Sequence, residues 1–168
     1  MSNVIIVYAT RYGSTAEIAR AIASELTDRG IDTDIFPVQE APSPAGYQAL
    51  VIGSAIRFGA WLIPATAYLQ RYKTELQQMP VAVFTTHVLA TDESPQSARQ
   101  RAEYLKPVLA HVQPQHTAFF AGNLDPSKTS FLENLICRMI KSPTGDLRDW
   151  QIISDWGKEI LPILPSGT

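Results

Sequence analysis

Several small polar side chains stand together at one junction near the start of the chain. The apolar run of residues 4–9 ends at Thr10, and Gly13, Ser14 and Thr15 follow just before a helical pattern. Each hydroxyl can donate to an anion, and the backbone amides of a first helical turn have no acceptor within their own helix. The helix dipole adds partial positive charge at the same point. The junction therefore predicts a phosphate-binding loop.

Several known phosphate-binding motifs are absent from this junction, and their absence restricts which phosphate compound it could bind. A Walker A loop needs GxxxxGK[ST], and no such lysine is present, while a dinucleotide fingerprint needs GxGxxG, and Gly13 stands alone. Thr10 and Arg11 stand where a response-regulator receiver would carry acidic side chains. The loop is therefore expected to hold a monophosphate without a metal ion. A capping box of Ser14 and Glu17 is the competing interpretation of part of the pattern.

Apolar runs alternate with helical patterns along the rest of the chain. Apolar, β-rich runs predict five strands, at residues 4–9, 31–38, 49–53, 80–86 and 117–121. Helical spacing predicts helices at residues 14–29, 63–76, 94–112, 129–141 and 154–161. Strands that alternate with helices form right-handed crossovers and a parallel sheet. The predicted fold is an α/β/α sandwich around a five-stranded parallel sheet of order 2-1-3-4-5.

Composition restricts the classes of function. The 168 residues, 45% hydrophobic and 18% charged, are expected to form one domain, and the net charge of −2 gives no case for nucleic acid. Cys137 is the only cysteine, which excludes an intrachain disulfide and favours a reducing compartment. Neither a signal peptide nor an apolar stretch of about 20 residues is visible. A cytoplasmic protein is expected, and contact with a membrane surface stays open.

The segment TRYGST, residues 10–15, resembles the T/S-x-T-G-x-T loop of the flavodoxin family, which holds the ribityl phosphate of FMN. The resemblance implies a flavodoxin-like fold that binds one FMN. Tyr12 stands where the family usually has threonine, so a phenol replaces one hydroxyl donor. The cofactor-binding residues implied in this loop are Thr10, Arg11, Tyr12, Gly13, Ser14 and Thr15.

Two further loops are expected to flank the flavin ring, since ligands lie at the carboxyl ends of parallel strands. The first, SAIRFGAW (residues 54–61), carries Phe58 and Trp61, which could stack on a flat ligand or pack in the core. The family resemblance implies that the peptide bond at Gly59 can flip. It would then offer the flavin N5 either a carbonyl or an N–H, according to the redox state of the flavin. The second loop is TTHVLATDES (residues 85–94). The ring contacts expected from both loops are Ile56, Phe58, Gly59, Thr86, Val88 and Leu89.

Two longer stretches resemble the quinone-dependent protoporphyrinogen dehydrogenases. SAIRFGAW is similar to their SIRYG, and TGDLRDWQIISDW (residues 144–156) is similar to their TDTR…YTDW. Residues 122–143 match the family's inserted segment in length and helical character, which implies a helical insert at about 122–150. The resemblance implies an FMN enzyme that oxidises protoporphyrinogen IX and passes the electrons to a quinone or another acceptor.

The predicted insert carries an apolar stripe at helical spacing. Its members are Phe131, Leu132, Leu135, Ile136, Met139 and Ile140. Such a stripe is expected to pack on the sheet. The alternative is contact with a membrane surface or with a quinone-bearing partner. In the motif at residues 144–156, Asp146, Arg148 and Asp155 are expected to form a salt-bridged lock or a helix cap.

Several functional alternatives remain open. Arg57 and His87 are the candidate catalytic residues because they flank the expected ring: Arg57 could balance an anionic flavin or reach a substrate carboxylate, and His87 could donate a proton. Arg57 could instead be a solvated loop arginine, and His87 a loop histidine that makes one hydrogen bond. A second possible function is a flavodoxin-type electron carrier that docks on redox-partner proteins. A third is an interaction module without a cofactor, which Tyr12 leaves open. The sequence does not fix the oligomeric state.

Overall fold

Five runs of apolar sequence form a parallel sheet at the centre of the molecule. The computed structural model describes residues 3–166. Its first six strands are β1 (Val4–Ala9), β2 (Thr33–Pro37), β3 (Ala49–Arg57), β4 (Ala60–Trp61), β5 (Val81–His87) and β6 (His116–Ala121). The parallel strands follow the order β2-β1-β3-β5-β6, while β4 pairs antiparallel with the end of β3. Apart from β4, this is the predicted 2-1-3-4-5 order.

Helices cover both faces of this sheet. They are α1 (Ser14–Thr27), α2 (Ile63–Arg71), α3 (Lys73–Leu76), α4 (Pro95–Leu109), α5 (Phe131–Met139) and α6 (Trp150–Glu159). Helices α1 and α6 pack against one face, and α2, α3 and α4 pack against the other. The predicted α/β/α sandwich is confirmed. None of the helices in residues 3–166 combines the length and apolarity needed to span a bilayer.

Strand β1 is buried from both sides because its alternate residues enter two different cores. Val4 and Ile6 pack with α1 and α6, whereas Ile5 and Val7 pack with α2 and α4. All four side chains are fully buried. Burial of a side chain of this size stabilises the fold by about 1.5–3 kcal/mol. A strand with two apolar faces reads as a continuous apolar run, and its predicted bounds, residues 4–9, are therefore correct.

Three predicted boundaries are wrong for identifiable reasons. Strand β3 runs to Arg57 rather than ending at Gly53, because its last residues pair with β4. The predicted second helix breaks at Tyr72 into α2 and α3. The last helix begins earlier than predicted, at Trp150, because the Asp149 carboxylate accepts hydrogen bonds of 3.0 and 3.1 Å from two amides of its first turn.

The insert, residues 122–149, is built around α5. Two short strands, β7 (Asn123–Leu124) and β8 (Gly145–Asp146), pair antiparallel at its two ends. Helix α5 begins with a capping box in which Ser130 and Glu133 each accept a hydrogen bond from the other's amide. No residue of α5 is buried, so the prediction that its stripe packs on the sheet is wrong. Other helices already cover the sheet, and the β7–β8 pair holds α5 beyond its carboxyl edge.

We expect Gly53→Ala to lower the free energy of unfolding by about 1–3 kcal/mol, because overpacking a dense core forces side chains to shift. The new Cβ would lie 2.0 Å from Cζ of Phe84. Urea denaturation followed by circular dichroism measures the loss. Gly157→Ala is the matched control: its Cβ would meet only the side chain of Glu25, at 2.9 Å, and alanine is the better helix former. Equal stabilities for the two variants would contradict this packing.

Candidate functional site

A cavity of about 410 Å³ lies at the carboxyl edge of the sheet. Its walls are the segments that follow β1, β3, β5 and β6, together with Gln100 and Tyr104 of α4 and one side of α5. Parallel strands bring these segments to the same edge, which is where such sheets bind ligands. All the predicted site residues except Gly13 line this cavity: Thr10, Arg11, Tyr12, Ser14, Thr15, Ile56, Arg57, Phe58, Gly59, Thr86, His87, Val88 and Leu89.

The turn between β1 and α1 depends on Gly13. Its φ of 98° is a left-handed conformation that favours glycine, and its amide donates to Oγ1 of Thr10 at 3.0 Å. Ser14 Oγ accepts a hydrogen bond of 3.0 Å from the amide of Asn123, which joins the turn to the insert. Gly13 is also the N-cap of α1 and offers no side-chain cap, so the capping box of Ser14 and Glu17 is wrong. Among the residues that the structure describes, no side chain caps the first-turn amides of α1.

Two buried hydroxyls in the cavity wall lack hydrogen-bond partners. Thr15 Oγ1 and Thr86 Oγ1 have none within the part of the chain that the structure describes. Thr15 is fully buried, and Thr86 is 4% exposed. Buried polar groups are nearly always paired, and an unpaired one costs about 1–3 kcal/mol. The two hydroxyls, with the first-turn amides near Thr15, make the cavity suited to a ligand with hydrogen-bonding groups at both places.

The hairpin of β3 and β4 separates its two aromatic residues. Phe58 and Gly59 are the central residues of the turn, with φ of 50° and 77°, as in a type I′ hairpin. The turn leaves Phe58 74% exposed, and the guanidinium of Arg57 lies 4.8 Å from the centre of its ring. Trp61 is buried and donates from Nε1 to Oγ1 of Thr85 at 2.9 Å. Trp61 therefore belongs to the core, and Phe58 lies at the cavity.

His87 is buried at the end of β5, next to two aromatic rings. Its ring centre lies 5.9 Å from that of Tyr104 and 6.0 Å from that of Phe119. Burial lowers the pKa of His87, and the charge of Arg101 adds to this effect, against the opposing hydrogen bond to the carbonyl of Leu89. Because a carbonyl only accepts, Nδ1 carries the proton in that 2.5 Å contact. His87 thus offers an acceptor at Nε2 rather than the acidic imidazolium that a proton donor would need.

Glu133 of the insert is a site residue that the sequence did not reveal. Its Oε1 lies 2.7 Å from Nη2 of Arg11 and 2.8 Å from Nη2 of Arg57. The hydroxyl of Tyr12 donates to its Oε2, and the amide of Ser130 donates to the same oxygen at 3.0 Å. These donors, Tyr12 first, lower the pKa of Glu133 to about 2. Glu133 is thus an ionised carboxylate that connects α5 to two of the predicted loops.

The sequence contained one sign of this role. Glu133 is the only charged residue between Phe131 and Cys137, inside the apolar stripe. The capping box with Ser130 is sufficient to explain a glutamate at that position, so the pattern alone indicates no contact with a distant loop. Ile136, Cys137 and Ile140 also line the cavity, which gives α5 an apolar inner face beside its carboxylate.

The predicted lock is correct for two of its three members. Arg148 donates from Nη2 to Oδ2 of Asp146 at 2.6 Å, and its Nη1 pairs with Glu17 of α1. The Arg148 side chain is only 7% exposed, and its guanidinium lies 4.6 Å from the ring centre of Trp150. The pairing joins β8 to α1. Asp155 is not part of it, because on α6 it faces residues one turn away and accepts from their side chains.

Comparison with known proteins identifies the family. A family model described as a flavodoxin domain matches residues 5–151. The chain belongs to the flavodoxin domain family. One relative is the protoporphyrinogen IX dehydrogenase (quinone) of Escherichia coli strain K12, which is 28% identical over 177 aligned residues. The alignment covers 98% of this chain and 97% of that protein.

Solved structures confirm the flavodoxin fold. Flavodoxin 1 from Bacillus cereus superposes with a TM-score of 0.62 at 13% identity, covering 98% of this chain and all of that one. A flavoprotein in complex with FMN from Lactobacillus acidophilus gives a TM-score of 0.53 at 16% identity, covering 71% of this chain and 93% of that one. At identities this low, the likeness to these two structures shows only that this flavodoxin-family chain has the same fold.

We expect Thr15→Val to raise the free energy of unfolding of the flavodoxin domain by about 1 kcal/mol, because it replaces an unpaired buried hydroxyl with a methyl group of similar shape. Thr85→Val is the matched control, since it leaves Nε1 of Trp61 without its acceptor and should lower stability. Thermal denaturation of the two variants and the parent measures both shifts. Destabilisation by Thr15→Val would show that its hydroxyl is paired in the protein.

Proposed function

We propose that this protein is an FMN-dependent oxidoreductase that oxidises a porphyrinogen and transfers the electrons to a quinone. The observation that carries the proposal is the pair of unpartnered hydroxyls, Thr15 and Thr86, in one cavity at the carboxyl edge of a flavodoxin-type sheet. The substrate and acceptor are supported by the E. coli relative, whose name specifies protoporphyrinogen IX and a quinone. That relative matches over nearly its whole length.

The residues of the first loop fit the phosphate of FMN. The first-turn amides of α1 and the hydroxyls of Thr10, Ser14 and Thr15 would hold it without a metal. Helix-end electrostatics supply only about 0.3–1 kcal/mol in exposed settings. Binding near nanomolar needs about 12 kcal/mol, so the ring must also be buried. The cavity extends from this loop to the β3–β4 turn and the segment after β5, which gives the ring that room.

Each wall of the cavity has a role in this function. When bound, FMN supplies the redox chemistry, accepting electrons from one organic molecule and returning them to another. The turn at Phe58 and Gly59 and the segment of Thr86, Val88 and Leu89 would flank and orient the ring. Side chains on the inner face of α5 would exclude water from it. Neutral His87 would present an acceptor for a proton rather than a donor.

The quinone acceptor fits the outer face of α5. Phe131 is 86% exposed, Met139 is 75% exposed, and Leu132 and Leu135 lie between them on the same helix. Exposed cations flank this face at Lys128, Arg138 and Lys141. Apolar side chains bordered by positive charge suit the surface of a membrane with anionic lipids, where a quinone is dissolved. We therefore include peripheral membrane contact through α5 in the proposal.

The membrane contact is tested by vesicle co-sedimentation. We expect the double variant Phe131→Ser, Met139→Ser to bind vesicles of phosphatidylethanolamine and phosphatidylglycerol about tenfold more weakly, since each side chain gains up to about 1.5–3 kcal/mol on burial. Stability should change little because both side chains are exposed. Leu109→Ser, at the far end of α4, is the control and should bind like the parent. Equal binding by the double variant would exclude α5 as the contact.

The activity is tested by anaerobic turnover of protoporphyrinogen IX with menaquinone as acceptor. We expect the protein loaded with FMN to form protoporphyrin, and we expect Thr15→Val to need about tenfold more FMN for half-maximal activity, because one hydrogen bond to a charged group is lost. Spectral titration with FMN measures the same loss independently. Thr85→Val, whose hydroxyl accepts from Trp61, should titrate like the parent.

Two results would replace the proposed function with another. FMN binding without porphyrinogen turnover, together with reduction by a flavoprotein reductase, would identify an electron carrier. A colourless protein whose addition leaves the FMN spectrum unchanged would identify an interaction module without a cofactor.

A further inference from the structure

Two arginines from separate loops converge on one carboxylate at the cavity. Arg11 follows β1, Arg57 ends β3, and both place Nη2 within 2.8 Å of Oε1 of Glu133. Within residues 3–166, no other acidic side chain comes within ion-pair distance of either arginine. Two positive charges therefore face one negative charge, which leaves one positive charge uncompensated in the wall of the cavity.

Both guanidiniums keep donors for a further partner. Each guanidinium has five N–H donors in a fork that matches a carboxylate. Within the part of the chain that the structure describes, Arg11 donates through Nε to Tyr12 and forms an ion pair through Nη2 with Glu133, and Arg57 donates through Nη2 alone. Their side chains are 39% and 37% exposed, while that of Glu133 is 14% exposed. The remaining donors are thus accessible to a ligand in the cavity.

Glu133 shows which chemical group this pair accepts. Its carboxylate lies at hydrogen-bond distance from both guanidiniums, so a carboxylate is the group that fits between them. Ser130 binds the other oxygen of this carboxylate: its amide and its hydroxyl both donate to Oε2 at 3.0 Å. Since α5 buries no residue of its own, this carboxylate is also its principal polar connection to the loops.

We propose that Arg11 and Arg57 form a subsite for a carboxylate side chain of the substrate, and that Glu133 competes with that carboxylate for their donors. The inference rests on the proposed function, because the porphyrinogen named there is a macrocycle that carries carboxylate side chains. The redox reaction occurs on the macrocycle, so the subsite binds a part of the substrate that does not react. Its effect is on affinity and orientation.

The phosphate of FMN is the other anion that these arginines could meet. Arg11 belongs to the loop expected to hold that phosphate, so its variants would change both kinds of binding. Arg57 lies on the β3–β4 turn, outside that loop. Variants of Arg57, compared in titrations with FMN and with a porphyrin, therefore separate the two sources of negative charge.

The test compares protoporphyrin IX with its dimethyl ester, in which both carboxylates are blocked. Protein loaded with FMN is titrated with each porphyrin, and binding is followed by porphyrin fluorescence. We expect the parent to bind the diacid at least about tenfold more tightly than the ester, in line with a charge-assisted hydrogen bond. Arg57→Gln should remove this preference by weakening the diacid alone, with FMN affinity unchanged.

Glu133→Gln provides the opposite result. It removes the competing negative charge, so diacid binding should tighten by several-fold while ester binding stays constant. Arg71→Gln is the matched control, because Arg71 ends α2 and, among residues 3–166, pairs only with the ring of Tyr72. It should leave every titration unchanged. Circular dichroism checks that each variant is folded.

Several outcomes would overturn the inference. The first is that the parent binds the diacid and the ester with equal affinity, or binds neither. The second is that Glu133→Gln leaves the affinity for the diacid unchanged or lowers it. The third is that Arg57→Gln lowers the affinity for FMN and leaves the affinity for the diacid unchanged. The proposed function is judged separately by turnover. Turnover with equal affinity for diacid and ester would retain the function and reject the subsite, whereas a diacid preference without turnover would retain the subsite and reject the function.

Discussion

The site depends on one constraint, which is that β1 is buried on both faces. Because Ile5 and Ile6 enter opposite cores, the strand can neither bend nor twist away from the sheet before it ends. The chain must then reverse into α1 within a few residues, and Gly13 makes that turn possible with its φ of 98°. The first turn of α1 is thereby fixed at the carboxyl edge, with its unpaired amides and the buried hydroxyl of Thr15 beside the cavity. The other walls are placed by the same parallel sheet.

The insert adds a layer that the parallel sheet does not require. Helix α5 presents apolar side chains on both sides, with Ile136 towards the cavity and Phe131 towards solvent. Its single carboxylate, Glu133, connects it to the loops that the sheet positions. A carrier that only exchanges electrons has no evident need for such a cover, whereas an enzyme that encloses an organic substrate does. In the proposed function, the insert would therefore contribute to substrate selection and the loops of the sheet to cofactor binding.

Most of the fold was predictable from the sequence because the sheet is parallel. Strands buried on both faces appear as continuous apolar runs, so strand order and the three loops at the carboxyl edge followed from local patterns. Contacts that depend on two distant segments were not predictable. The stripe of α5 has the spacing of a helix that packs on a sheet, and nothing local shows that the sheet is already covered. Glu17 and Ser14 have the spacing of a capping box, yet each has a partner in the insert: Glu17 pairs with Arg148, and Ser14 accepts from Asn123.

The central claim is that the turn after β1 binds the phosphate of a flavin, and riboflavin tests it most directly because it is FMN without that phosphate. Isothermal titration of the apoprotein with each compound gives the two dissociation constants under the same conditions. Two or more charge-assisted hydrogen bonds of about 1.5–3 kcal/mol each predict that FMN binds at least about a hundredfold more tightly. Equal dissociation constants for FMN and riboflavin would contradict the account.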